Sequence, residues 1–368
     1  MKEYSTIDSL AQIVLSTSDL TKDMEFFSVI GFRLDQIFPS DDPTVAVMSG
    51  HGLTLRLDRE VIGAPATLHI LTDNPENIAE GKSEVVAPNG TTIKVLPKTY
   101  SLDTPQTQHK FEVRKLQNND PWVIGRAGML YRDLIPDRLG GSIIASHINI
   151  PTGGPVPDMV HYHTIGFQLI FCYHGWVKLV YEDQGSPFIL EAGDCVTQPP
   201  EIRHRVLESS DNLEVIEIGI PSDHMTTIDH DMELPTESVN PNRTFQDQTF
   251  CHHIASKADW KEWGIPGFEY RDTGINISTN GVASVHIARV LNHDYNSATI
   301  SHKADILFTF VMKGSFELIA SDYPVSDLNV GDAYVIPPDL TYQMQNCSAD
   351  LELLQVSLPG DSETSIES

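Results

Sequence analysis

From residue 130 onward the chain alternates short apolar runs with turn residues, at a spacing that leaves little room for helices. "FQLIFCYHGWVKLVYEDQG" (Phe167–Gly185) reads as strand, glycine turn, strand and turn. "PFILEAGDCVTQPP" (Pro187–Pro200) continues the pattern and "NLEVIEIGIP" (Asn212–Pro221) closes it. "LFTFVMKGSFELIASDYP" (Leu307–Pro324) has the same form further on. Runs rich in Val, Ile, Phe and Tyr, bounded by Gly, Pro and Asp, are strands. Many of them in succession argue for a sandwich or jelly-roll barrel.

The apolar pattern also repeats. "YRD" at Tyr131–Asp133 returns at Tyr270–Asp272, and the same offset carries His163 onto His302 and Gly175 onto Gly314. After a one-residue deletion "AGDCVTQPP" (Ala192–Pro200) maps onto "VGDAYVIPP" (Val330–Pro338), Leu213 onto Leu351 and Pro221 onto Pro359. Order and spacing kept from Tyr131 to Pro221 mark a duplicated domain. Between the copies "HDMELPTESVNPNRTFQDQ" is polar and Pro-bearing, a surface connector. "SKADWKEWG" (Ser256–Gly264) reads as a short helix with Trp260 and Trp263 as core anchors, and the tail "GDSETSIES" as disordered.

Residues 1–100 follow another rhythm. "AQIVLS" is strand-like. "SDLTKDMEFFSVIGFRL" then places Asp19 or Thr21 to cap a helix, with Met24, Phe27 and Ile30 on one face and Gly31 at its end. Strand-like "FRLDQIF", "TVAVMS" and "GLTLRL" follow. "ATLHILTDNPENIAEG" and "SEVVAPNGTTIKVLP" repeat the order strand, helix, strands in shorter form. The predicted fold is therefore mainly β: two tandem barrels (101–235 and 236–368) preceded by a small α+β module (1–100).

Composition changes this picture only at its edges. The 24 Lys plus Arg against 51 Asp plus Glu give a net charge of −27. That field repels phosphate backbones and anionic bilayers, so neither nucleic acid nor a membrane surface is an expected partner. No run reaches the length of a transmembrane span and no secretory leader is evident, so a cytoplasmic location is expected. Cys172, Cys195, Cys251 and Cys347 form no CxxC pair and read as buried small hydrophobes.

The candidate chemistry lies in "HYHTIGFQ" (His161–Gln168) and "GDCVTQPPEIRH" (Gly193–His204). His161 and His163 alternate, so on a strand they share a face. Gln168 re-enters on the next strand and His204 follows a Pro-Pro turn. Four N and O donors converging inside an apolar barrel suit one divalent metal, Fe(II) first, with Mn, Ni or Zn as alternatives, and leave coordination positions open. These two segments resemble the two metal-binding motifs of the cupin superfamily, and the duplication makes the chain resemble a bicupin. The N-terminal module resembles the glyoxalase, or vicinal-oxygen-chelate, type.

The resemblance implies a metal held by His161, His163, Gln168 and His204 and a small-molecule substrate, one that can be anionic, in a chain that forms a homo-oligomer such as a dimer. It implies an enzyme, with a dioxygenase acting on a small oxygenated organic acid or phenol as the first reading. A non-oxidative isomerase or lyase, or a non-catalytic small-molecule-binding regulator, are the alternatives. Gln168 stands where the commonest pattern has Glu. A neutral amide leaves more charge on the metal, so Gln168 is expected to tune the site, and Gln168→Glu to cost little in packing if its hydrogen bonds can re-form. Arg203, beside a ligand, is a candidate for a substrate carboxylate or for a surface salt bridge. In the second copy Ile300, Leu307 and Tyr342 replace three donors and only His302 remains, so that half is a scaffold or dimer surface. In the N-terminal module the equivalent positions are Gln12, Arg56, Ala66 and Lys94, which exclude a divalent metal and leave at most an anion held by Arg56 and Lys94. Asp229, His230, Asp231, His252 and His253 read as solvated loop residues, and Cys172 as a buried thiol.

Overall fold

The computed structural model of the protein describes residues 10–98, 101–118, 121–291 and 296–367. The chain divides into two compact units, 1–101 and 102–368.

In the first unit a strand (Ile13–Ser16) leads into a helix (Leu20–Val29), then strands Arg33–Phe38, Val45–Gly50 and Leu53–Asp58. The Ile13–Ser16 strand lies parallel to Leu53–Asp58, and Val45–Gly50 and Arg33–Phe38 follow it across a four-stranded sheet. Asp19 caps the helix, accepting from the Lys22 N–H at 3.2 Å, and Phe27 and Ile30 are buried beneath it. The chain leaves the helix at Gly31, whose φ of +101° suits only glycine. The second, shorter set keeps its strands (Thr67–Thr72, Glu84–Val86 and Thr92–Pro97) but not its helix. Two single turns, Pro75–Asn77 and Ala79–Gly81, stand in its place, because Ala79, Glu80 and Gly81 all take positive φ. The two cations are matched by carboxylates. Arg56 meets Asp58 at 2.9 Å and Lys94 lies 3.9 Å from Glu84, so neither is reserved for an anion.

The second unit contains the duplication as topology. In the first half a seven-stranded sheet runs Cys251–His253, Cys195–Thr197, Phe167–His174, Leu213–Ile220, Ile144–Ile150, Leu130–Asp133, Val123–Ile124. The second half gives Glu112–Arg114, Ala333–Ile336, Ile306–Lys313, Glu352–Leu358, Ser284–Val290, Phe268–Asp272, Lys261–Glu262 in matching order. Each half closes its barrel with a smaller sheet, six-stranded through His161–Thr164 and His204–Ser209 in one and five-stranded through Thr299–His302 and Tyr342–Gln345 in the other.

One strand of each large sheet comes from the opposite half. Cys251–His253 pairs with Cys195–Thr197, and Glu112–Arg114 pairs with Ala333–Ile336. The exchange is reciprocal in its hydrogen bonds. Asp194 accepts from the Ala255 N–H, and Asp332 from the Leu116 N–H, each at 2.7 Å. Arg132 of the repeated "YRD" donates to the Gly331 carbonyl at 2.9 Å.

The large sheets share one core. Phe167, Leu169, Phe171, Ile216 and Ile218 of the first half pack with Phe308, Phe310, Leu354 and Val356 of the second. The intervening residues of the first-half strands face the interior of their own barrel, as the period-2 alternation requires.

Several expectations change. "SKADWKEWG" is a single turn (Ala255–Lys257) followed by strand Lys261–Glu262, because the segment crosses to the other half and joins the edge of a sheet. Trp260 and Trp263 do pack on the cores, and Trp260 also carries the Arg289 guanidinium at 3.8 Å. The tail is ordered as strand Thr364–Glu367, paired to Thr299–His302, whose edge would otherwise stand open. His252 and His253 are not loop residues. They lie in the exchanged strand, His253 buried and His252 stacked on Phe188 at 4.3 Å. His230 and Asp231 are exposed, whereas Asp229 holds Arg203.

Because the core is shared, its loss should be felt by both halves. The Phe310 ring meets Tyr173 of the first half edge-on, 5.0 Å between centroids. Phe310→Ala is expected to cost about 3–5 kcal/mol. In chemical denaturation, tryptophan fluorescence and release of bound metal should shift together in one transition.

Candidate metal centre

His161 and His163 stand on the His161–Thr164 strand with Tyr162 turned the other way. His204 opens the neighbouring antiparallel strand directly opposite His161. Ring centroids lie 4.2 Å apart for His161–His204 and 5.2 Å for the other two pairs. One ligand atom from each residue falls within 4.8 Å of the others, which among the described residues is the only such grouping of three or more His, Cys, Asp or Glu.

The outer faces of the rings are tied down. The Nδ1 of His161 lies 2.8 Å from the Met159 carbonyl and that of His204 2.9 Å from the Ile202 carbonyl. A carbonyl only accepts, so both Nδ1 atoms carry the proton and both Nε2 atoms carry a lone pair. His163 Nδ1 meets the Thr226 hydroxyl at 2.8 Å, and the hydroxyl can take either role. Burial, with smaller contributions from Arg126 and neighbouring histidines, lowers the pKa of all three, His163 and His204 most strongly. Neutral imidazoles with convergent lone pairs are what a divalent ion requires.

Gln168 lies on the Phe167–His174 strand, on the barrel side opposite the Phe167 and Leu169 rows. Its Nε2 donates to Glu217 Oε1 at 2.6 Å. Its Oε1 is buried without a hydrogen-bond partner, as is His161 Nε2. Leaving such atoms unmatched costs about 1–3 kcal/mol each, and both are electron-pair donors. Three buried imidazoles whose ligand atoms lie together, with His161 Nε2 orphaned, fit a divalent transition metal.

Glu217 changes what Gln168→Glu would do. A carboxylate at 168 would face Glu217 as acid against acid, so the hydrogen bond re-forms only if the pair takes up and shares a proton, and the substitution is not conservative.

Above the histidines lies a cavity of about 70 Å³ with aliphatic walls (Ile148, Ile170, Val177, Leu179 and Val215). Its polar lining includes Arg126, Tyr131, Gln198, Glu217, His163 and His204. Burial raises the pKa of Glu217 and pushes that of Tyr131 up to about 12, which keeps the phenol protonated. Arg126 is ion-paired with buried Asp158, which also accepts from the Val206 N–H at 2.9 Å and lies 3.6 Å from His161 Nδ1.

Arg203 is committed elsewhere. It donates to Asp229 at 3.2 Å and to the Glu201 carbonyl at 3.1 Å, and lies over the Tyr162 ring at 4.1 Å. Of its two readings, the salt bridge describes it, and Arg126 is the cation that lines the cavity. Arg126, Asp158, Thr226 and Glu217 were not singled out from sequence. Glu217 carried the one readable signal, a charge on the same alternation as Leu213 and Val215. Cys172 is buried with its thiol pushed up to about 12 and is chemically inert.

In the second half Ile300 pairs with Tyr342 as His161 pairs with His204. Phe316, Leu318, Leu328 and Met344 fill that interior, and His302 Nε2 is spent on the Ile336 carbonyl at 3.1 Å. The backbone register survives and the donor set does not.

No family model and no curated protein matches the chain. Solved structures do. A salicylate 1,2-dioxygenase from Pseudaminobacter salicylatoxidans is similar over 72% of this chain and 90% of its own, with TM-score 0.55 and 14% identity. An oxalate decarboxylase from Lactobacillus farciminis is similar over 71% and 91%, with TM-score 0.52 and 14% identity. A variant of the Bacillus subtilis oxalate decarboxylase gives 71% and 81%, with TM-score 0.53 and 12% identity. These are cupin-family proteins, and the likeness shows that this chain shares their fold.

His161→Ala or His204→Ala should abolish metal binding, whereas His302→Ala should leave metal content unchanged, as read by elemental analysis of the purified chains. Acid should destabilise the metal-free protein. Histidines with depressed folded-state pKa take up protons first in the unfolded chain, so stability is kept above the ordinary value of 6.5 and lost as pH falls below it. The urea midpoint of the metal-free chain should therefore fall between pH 7.5 and pH 5.5, and bound metal should shift that loss to lower pH.

Proposed function

We propose that the protein is a metal-dependent enzyme whose first barrel (101–235) binds one divalent ion through His161, His163, Gln168 and His204, with Fe(II) preferred over Mn, Ni or Zn. The observation that carries this reading is the convergence of three buried, neutral imidazoles, two of which line a cavity. A divalent ion held there would supply Lewis acidity and open positions for a chelating substrate. The protein's own contribution is to orient that substrate in a pocket of aliphatic walls with Arg126 in its lining, and to keep Tyr131 protonated beside it.

The first reading is a dioxygenase that cleaves a small oxygenated organic acid. A cavity of about 70 Å³ favours a short-chain acid over a phenol, since an apolar cavity that takes up benzene measures ~150 Å³. One solved salicylate dioxygenase structure of similar fold is an adduct with gentisate, which keeps an aromatic acid in the test panel. A second reading, non-oxidative isomerase or lyase chemistry, is favoured by Gln168, because a neutral donor leaves the ion more electrophilic. The second barrel (236–368) and the N-terminal module serve as scaffold and assembly surface, the module as an incomplete unit of the vicinal-oxygen-chelate type whose Arg56 and Lys94 exclude a metal.

Protein purified without oxygen should carry iron, and short 2-oxo or 2-hydroxy acids should elicit oxygen uptake where salicylate and gentisate elicit little. Turnover under anaerobic conditions with zinc bound would replace the dioxygenase by the Lewis-acid reading. Tight binding of an acid with no turnover under any condition would make the protein a binding module.

A further inference from the structure

We propose that Glu217 is the positioning residue that makes Gln168 a metal donor, so that the two form one functional pair in which the acid stands behind the amide. This rests on the reading of the first barrel as a metal centre.

Backbone register brings the two together. Gln168 is opposite Gly219 on the neighbouring strand, and Glu217 is opposite Ile170. Both side chains point into the barrel, because Phe167, Leu169, Phe171, Ile216 and Ile218 point into the shared core. A diagonal pair on one face of an antiparallel ladder is within reach of long side chains.

Glu217 Oε1 accepts a hydrogen bond from the Gln168 amide N–H at 2.6 Å. A terminal amide otherwise turns through either of two nearly equivalent orientations, presenting N–H or C=O to the ion. An N–H directed at a cation repels it. Fixing the N–H on Glu217 leaves Oε1 as the face that remains, and Oε1 is the atom left buried and unpartnered. The duplicate is an internal control. Leu307 stands for Gln168 there, and Gln355, opposite Thr309, stands for Glu217. The half that keeps only one of the three histidines has an apolar residue in place of the amide and an amide in place of the acid.

The test is a double-mutant cycle read on metal affinity. Zn(II) or Co(II) is titrated into metal-stripped full-length protein against a chromophoric chelator, with circular dichroism confirming the fold. Glu217→Leu should weaken binding about 10- to 100-fold. Gln168→Leu should weaken it comparably, and the double substitution should be no worse than Gln168→Leu alone. Glu217→Gln, which keeps an acceptor for the amide N–H, should stay within a few-fold of the parent.

The reciprocal exchange Gln168→Glu with Glu217→Gln restores a donor–acceptor pair with the roles reversed, and should bind more tightly than Gln168→Glu alone. If Glu217→Leu does not fold, the comparison of Gln168→Glu with the exchange decides by itself. Additive losses in the cycle, unchanged affinity in folded Glu217→Leu, or Gln168→Glu binding as tightly as the exchange would each overturn the proposal. Should His161→Ala keep its metal, the metal-centre reading itself falls. Should the histidine variants lose metal while every Glu217 variant matches the parent, only the pairing falls.

Discussion

The strands that carry the site are buried on both faces, and that constraint fixes nearly everything else. Along Phe167–His174 the odd-numbered residues pack against the other half of the chain and the even-numbered ones face the barrel interior. Leu213–Ile220 alternates in the same way with the parity reversed, Ile216 and Ile218 in the shared core and Val215 and Glu217 in the barrel. A one-residue slip would drive Gln168 and Glu217 into the shared core and expose phenylalanines to the cavity, with no compensating contact on either side. The register is therefore held by the second half, which lacks the histidine cluster that it helps to position in the first. The exchanged strands and the paired Asp194–Ala255 and Asp332–Leu116 hydrogen bonds fasten the two copies at both ends of that core.

Inside the barrel, burial decides the electrostatics. The histidines lose their protons because charged imidazolium is disfavoured away from water and three cations cannot share so small a volume. The carbonyls behind His161 and His204 choose which nitrogen is left bare. The sequence offered no carboxylate at position 168, and the fold brings one in from the adjacent strand, one step behind the amide. The barrel thus pairs a neutral amide with a buried acid, a combination that a single Glu at 168 would not give.

Much of this was legible beforehand, for reasons that can be traced to particular residues. Short alternating runs and glycine turns identify strands because their period is local, and the repeated "YRD" and Gly-Asp segments reveal duplication without any fold being assumed. His161 and His163 stand out because donors on one strand must alternate to share a face, and His204 because it follows the Pro-Pro turn of the second motif. What could not be read depends on distance in sequence. Glu217 is 49 residues from Gln168, and in "LEVIEIGIP" it looks like any solvent-facing charge on a half-buried strand. The exchange of Cys251–His253 and Glu112–Arg114 between halves was hidden for the same reason, since nothing local distinguishes a strand that joins its own sheet from one that joins its twin's. The tail misled by composition: its polar side chains say little about a backbone whose N–H and C=O groups complete the edge beside His302. Arg203 drew notice by its place next to His204, but odd and even positions again decide, and it faces Tyr162 and Asp229.

X-ray absorption at the metal edge of the loaded protein tests the central claim most directly, because it counts and identifies the atoms bound to the ion. The account predicts a single environment of three imidazole nitrogens with oxygen donors completing the shell, and no sulfur. A thiolate contribution, or fewer than three imidazoles per ion, would contradict it.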